Sequence, residues 1–148
     1  MTTTTTTTMV ERLRDATNAH DLDALVDCFA ESYRNETPAH PGRGFTGRAQ
    51  VRANWEQIFA GVPDLTAAVL HSVATNDEIW SEWEMRGTRR DGNAHLMRGV
   101  IIFGVADERA SWARFYLEPV DPGAEGPAVA VERILHTGTS PDPTEASR

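Results

Sequence analysis

The side chains best suited to chemistry in this chain are a carboxylate, an amide, a phenol and an imidazole. Glu118 directly precedes Pro119 at the end of a long apolar strand. Loss of water there would disfavour its charged form and make it a better base; the same place also suits an ordinary solvated carboxylate. Tyr33 and Asn35 stand two residues apart in Tyr33-Arg34-Asn35. Asn35 fits a pocket amide or a turn-forming residue ahead of the Pro- and Gly-rich loop Thr37–Gly44. Tyr33 fits a pocket phenol or a core residue with its hydroxyl at the rim. His40, inside that loop, fits a second acid/base or an exposed imidazole. His20, His71, His95 and His136 show no metal-site spacing with one another or with acids. Neither a glycine-rich phosphate loop nor a nucleophile elbow is present, so no metal or other cofactor is expected.

Three long strands must position these groups. Glu78–Thr88 meets Ala94–Val105 across Arg89–Asn93, whose Asp91-Gly92 supplies the positive φ of a hairpin. A turn around Ala106-Asp107-Glu108 leads into Arg109–Val120. Alternation puts Ile79, Ser81, Trp83 and Met85 on one face, the lining of an apolar cavity, and Trp80, Glu82, Glu84 and Arg86 on the other. Trp55, Met97, Ile101 and Phe103 extend the wall, and a filled core explains the same residues. With His40 and Tyr116 these are the candidate substrate-binding residues. Ala113, Phe115 and Leu117 form the apolar face of the last strand, so Glu118 enters a cone only if a bulge resets the register. Arg98 is expected to form a cross-strand ion pair with Glu82 or Glu84.

The front of the chain reads as helices. Val10, Leu13, Ala16 and Thr17 share a face of Met9–Ala19; Asp21 then caps a second helix striped by Leu22, Leu25, Val26 and Phe29, with Cys28 inside it. A short strand, Ser32–Glu36, precedes a third helix, Gly47–Gly61, which buries Val51, Trp55, Ile58 and Phe59 and ends at Pro63. Leu65–Thr75 is a further strand. Helices gathered before an antiparallel sheet predict an α+β fold, a strongly curved antiparallel sheet packed on three N-terminal helices with a cone-shaped pocket. The predicted domain spans 9–120. The tract 1–8 and Thr137–Arg148 are expected to be disordered. The extension 121–148 opens Pro- and Gly-rich, and its apolar Ala128–His136 segment is expected to dock on the domain, a neighbouring subunit or the pocket mouth.

A formal charge of −8 with no basic run argues against nucleic acid as a partner. No apolar stretch approaches the ~20 residues of a membrane span, and no secretory-type apolar segment opens the chain, so a cytoplasmic protein is expected. The single cysteine, Cys28, excludes an intrachain disulfide and reads as a small buried hydrophobe. Trp80, Val100 and Ile102 make the outer sheet face apolar enough to predict a homodimer.

Asn18-Ala19-His20-Asp21-Leu22-Asp23-Ala24-Leu25, followed by Phe29-Ala30-Glu31, resembles the start of the nuclear-transport-factor-2-like (NTF2-like, cystatin-like) superfamily. The similarity continues through Gly47-Arg48, Pro63-Asp64, Gly87-Thr88 and the paired final strands, over about 10–120. That superfamily includes ketosteroid isomerases, limonene-epoxide hydrolase and the SnoaL polyketide cyclases, and the resemblance implies a dimer with one pocket per cone. The ketosteroid isomerase pattern fails, with Leu13, Ile101 and Thr37 at its three chemical positions. The hydrolase and SnoaL patterns share Tyr33-x-Asn35 and an acid near Glu118, but Trp83 and Met85 stand where the hydrolase needs an Arg-x-Asp. The resemblance therefore implies that Glu118, assisted by Asn35 and Tyr33, is the catalytic group. Three functions stay open: cofactor-free acid/base chemistry of cyclase or isomerase type on a small hydrophobic carbonyl compound, an epoxide hydrolase or epoxide-opening cyclase, and a non-catalytic binder of small hydrophobic molecules. Fold alone does not choose among them.

Overall fold

The computed structural model describes residues 8–136, so the tails expected to be disordered lie outside the described residues except for Thr8. Thr8 belongs to the fold. Its hydroxyl accepts from the Glu11 amide and its own amide donates to the Glu11 carboxylate, a capping box that starts α1 (Met9–Ala19). The predicted apolar face of α1 is buried at Val10, Leu13, Ala16 and Thr17.

Asp21 caps α2 (Leu22–Asp27) as expected, accepting from the Ala24 amide at 3.1 Å. The helix stops before the predicted stripe does. Cys28 is its C-cap, and Phe29 opens β1 (Phe29–Glu36) three residues ahead of the predicted strand. Tertiary pairing decides this, because Phe29 lies opposite Ala110 in a parallel ladder with the last strand. Cys28 is buried, and that burial pushes its thiol up to about 11, which keeps it protonated and inert.

A 3-10 turn (Pro41–Arg43) and the two-residue β2 (Phe45–Thr46) lead through Gly47, at φ 96°, into α3 (Arg48–Gly61). Then follow β3 (Thr66–Ala74), β4 (Glu78–Thr88), β5 (Ala94–Ala106) and β6 (Arg109–Pro119). They form one six-stranded sheet, order β2-β1-β6-β5-β4-β3, antiparallel except for the β1–β6 pair.

The sheet curves where its pairing is irregular. Register shifts fall at Val69/His71 in β3 and Gly104/Val105 in β5, and bulges of this kind bend a strand and raise its twist. Gly99 adds a kink at φ 153°, where a Cβ would stand 2.0 Å from the Tyr116 carbonyl oxygen. Trp83 and Phe103 turn inward and are fully buried. Glu84 lies on the other face, bridging Arg98 at 2.6 Å and Arg86 at 2.9 Å, the cross-strand pair the alternation predicts.

The extension does form a helix, α4 (Pro127–His136), but it buries none of its side chains. Ile134 and Leu135 are 58% and 66% exposed, so the docking expected of this segment is not made within the described residues. No helix among those residues is long and apolar enough to cross a membrane.

Candidate functional site

A cavity of about 360 Å³ opens between α3 and the concave face of the sheet. Phe29, Tyr33 and Asn35 on β1 alternate onto this face, as do Met85 on β4, His95 and Met97 on β5, and Phe115 and Leu117 on β6. Val51, Asn54, Trp55 and Ile58 come from α3 at spacings of three and four, one face of a helix. Thr37, Arg43 and Phe45 close one side, and Leu65 another. Apart from Val51, the large apolar residues of α3 are only partly buried: Trp55, Ile58 and Phe59 pack against the core, and Trp55 and Ile58 also border the cavity.

The polar groups are few. The Tyr33 hydroxyl donates to Asn35 Oδ1 at 2.7 Å, and Asn35 Nδ2 donates to Thr37 Oγ1 at 3.4 Å. Burial raises the Tyr33 phenol far above its ordinary value, so it stays protonated. Asn54 Oδ1 accepts from Gln50 Nε2 at 2.7 Å, which leaves the Asn54 amide hydrogens for a ligand. His95 is the imidazole of the wall. Burial, and then the charge of Arg89, lower its pKa below 6.5, so the ring is neutral at neutral pH. Arg43 brings a guanidinium to the lining, and among the described residues no Asp or Glu lines the cavity. Among the described residues no three His, Cys, Asp or Glu side chains are grouped to hold a metal ion.

Of the sequence candidates, Tyr33, Asn35, Trp55, Met85 and Met97 line the cavity together. Ser81, Trp83, Ile101 and Phe103 do not. They are at most 1% exposed and fill the core, with the Trp83 indole donating to Ser81 Oγ and that hydroxyl donating to the Ile101 carbonyl, each at 2.8 Å. Tyr116 is on the outer face, 43% exposed.

Glu118 is likewise absent from the lining. Phe115 and Leu117 face the cavity, and the β5–β6 register runs unshifted from Trp112 to Pro119, so no bulge turns Glu118 inward. Its carboxylate instead meets His40 in the loop after β1. His40 Nε2 lies 3.2 Å from Oε1, with hydrogen-bond geometry, and 3.1 Å from Oε2. The sequence offered His95 only as a metal-ligand candidate and not as a pocket residue. The available signal was parity, since His95 is two residues before Met97 on the face that carries Ile101 and Phe103.

The SnoaL-like domain family matches residues 10–114. This chain belongs to that family. No curated protein matches it. Among solved structures it is similar to wild-type IdmH, a putative polyketide cyclase from Streptomyces antibioticus, at 23% identity and a TM-score of 0.64, over 74% of this chain and 88% of that one. It is also similar to RV0760c from Mycobacterium tuberculosis in complex with estradiol-17beta-hemisuccinate, at 20% identity and a TM-score of 0.63, over 73% and 89% of the two chains. A putative SnoaL-like polyketide cyclase from Shewanella denitrificans aligns at 12% identity and a TM-score of 0.63, over 74% and 88%. At these identities the structural likeness speaks for the NTF2-like fold, and the family assignment rests on the domain match.

Proposed function

We propose that this SnoaL-like protein binds a small hydrophobic carbonyl compound in the cavity and moves a proton on it without a cofactor, as a cyclase or isomerase does. The observation that carries this reading is His95, a neutral imidazole in an otherwise mostly apolar wall. A neutral imidazole accepts a proton from carbon next to a carbonyl, and the enolate oxygen so formed needs N–H donors around it. The free hydrogens of Asn54 and the remaining hydrogen of Asn35 supply them. The Tyr33–Asn35–Thr37 chain fixes the Asn35 amide in place. The cyclase named for IdmH and the steroid ester held by RV0760c agree with an apolar, carbonyl-bearing ligand.

A second reading keeps Glu118 as the base, with Asn35 and Tyr33 assisting, and is favoured by the His40–Glu118 contact. There the Glu118 carboxylate would take the proton, and His40 Nε2, 3.1 Å from Oε2, would hold it in place.

Binding is tested with 2-tetralone, a small aromatic ketone, followed by tryptophan fluorescence. Trp55 lines the cavity, so saturable quenching is expected, and Trp55→Phe should remove most of the signal while calorimetry still detects binding. No saturable change in the wild type would contradict a ligand pocket. Saturable binding with no reaction on any ketone would leave a non-catalytic binder.

The homodimer belongs to the same proposal. Trp80 is 50% and Val73 55% exposed, and they sit opposite each other on the outer sheet face, with Tyr116 43% exposed on the same face. Sedimentation equilibrium should give twice the 16.3 kDa chain mass at micromolar concentration, and Trp80→Glu should give monomer. A monomeric wild type would contradict it.

A further inference from the structure

We infer that the compound taken by this cavity carries a carboxylate, which docks on Arg43 at the cavity edge. The inference rests on the ligand-pocket reading above and names the class of ligand more closely. The chain has no lysine, so its side chains that are always cationic are all arginines. Among the described residues every arginine except Arg43 is engaged by a carboxylate or a backbone carbonyl of the chain itself. Among the described residues Arg43 has no such partner, although the chain carries 22 acidic residues against 14 arginines. The one guanidinium left unpaired among the described residues is thus the one that lines the cavity.

The rest of the wall has the same polarity. The oxygen of Asn54 is taken by Gln50 and that of Asn35 by Tyr33, so both amides present N–H groups. One Asn35 hydrogen goes to Thr37 Oγ1, and among the described residues no Asp or Glu lines the cavity to take the others. Donors facing an apolar space without acceptors are satisfied by oxygens brought by the ligand, and a guanidinium matches a carboxylate through two parallel hydrogen bonds. Arg89, close enough to His95 to act on it electrostatically, adds positive potential on the β5 side. A net charge of −8 repels anions at long range, so the selection is made by contact within the cavity and not by steering.

The test compares naphthalene-2-acetic acid with its methyl ester, by calorimetry and by Trp55 fluorescence. Wild type is expected to bind the acid about five- to tenfold more tightly than the ester at low salt. The preference should shrink in 0.5 M sodium chloride, because the site is open to screening. Arg43→Gln, at an exposed loop position, should keep ester binding and lose the preference, and Arg43→Lys should restore part of it. Equal or tighter binding of the ester by wild type, or an acid preference that survives in Arg43→Gln, overturns the inference alone. Failure of both compounds to bind overturns the ligand-pocket reading and this inference with it.

Discussion

His95→Gln is expected to lower turnover about 100-fold or more while leaving ligand affinity little changed. The substitution keeps a hydrogen-bonding side chain of similar reach and removes the basic nitrogen. The apolar walls, not the imidazole, supply most of the contact area for binding. The pH profile gives a second readout. Burial and Arg89 hold the imidazole below 6.5, so the base form persists into mildly acidic solution. The acid limb of kcat/KM should then fall below pH 6.5, with activity full above it and lost as the ring protonates. Arg89→Gln removes the repelling charge and should move that limb upward. Glu118→Gln should leave turnover nearly unchanged. Loss of turnover in Glu118→Gln with retention in His95→Gln would transfer the base to the His40–Glu118 pair.

Trp83→Ala should have the largest effect on stability. Trp83 is fully buried at the centre of β4, and its indole N–H is satisfied by Ser81. Truncation removes the largest buried side chain and leaves a void under the concave face, costing about 3–5 kcal/mol. Urea unfolding followed by circular dichroism should show a lower midpoint with little change in slope. Trp80→Ala is the control. Trp80 is half exposed on the opposite face, and its loss in the isolated chain should cost about 1 kcal/mol or less. Similar costs for the two would mean that the inward and outward faces of β4 have been misassigned.

The fold was legible because the strongest signals were periodic. Alternation from Ile79 to Met85 put Trp83 inside and Glu84 outside, and the spacing of Val10, Leu13, Ala16 and Thr17 gave α1 its buried face. Where pairing partners decide structure, local pattern misled. Phe29 continues a helical stripe, yet it pairs with Ala110 near the start of β6 and becomes strand. The site was half legible. Tyr33, Asn35, Trp55, Met85 and Met97 meet around one cavity, but inward-facing residues near the closed part of the cone, Ser81, Trp83, Ile101 and Phe103, are packed solid. Alternation says which face a residue takes and not whether that face is filled at its level. Parity separated Glu118 from Leu117, and the same parity joined His95 to Met97. Arg43 gave no signal, because a loop without periodicity does not reveal where its side chains go.

The measurement that tests the central claim most directly is hydrogen–deuterium exchange at the activated carbon of 2-tetralone in heavy water, followed by proton NMR. It needs no knowledge of the natural product, since it reports proton abstraction next to a carbonyl and nothing later. Wild-type protein should speed the loss of the C1 proton signal far beyond an equal concentration of free imidazole, and His95→Gln should lose about 100-fold of that acceleration. Exchange no faster than with free imidazole, or equally fast with His95→Gln, would contradict the account.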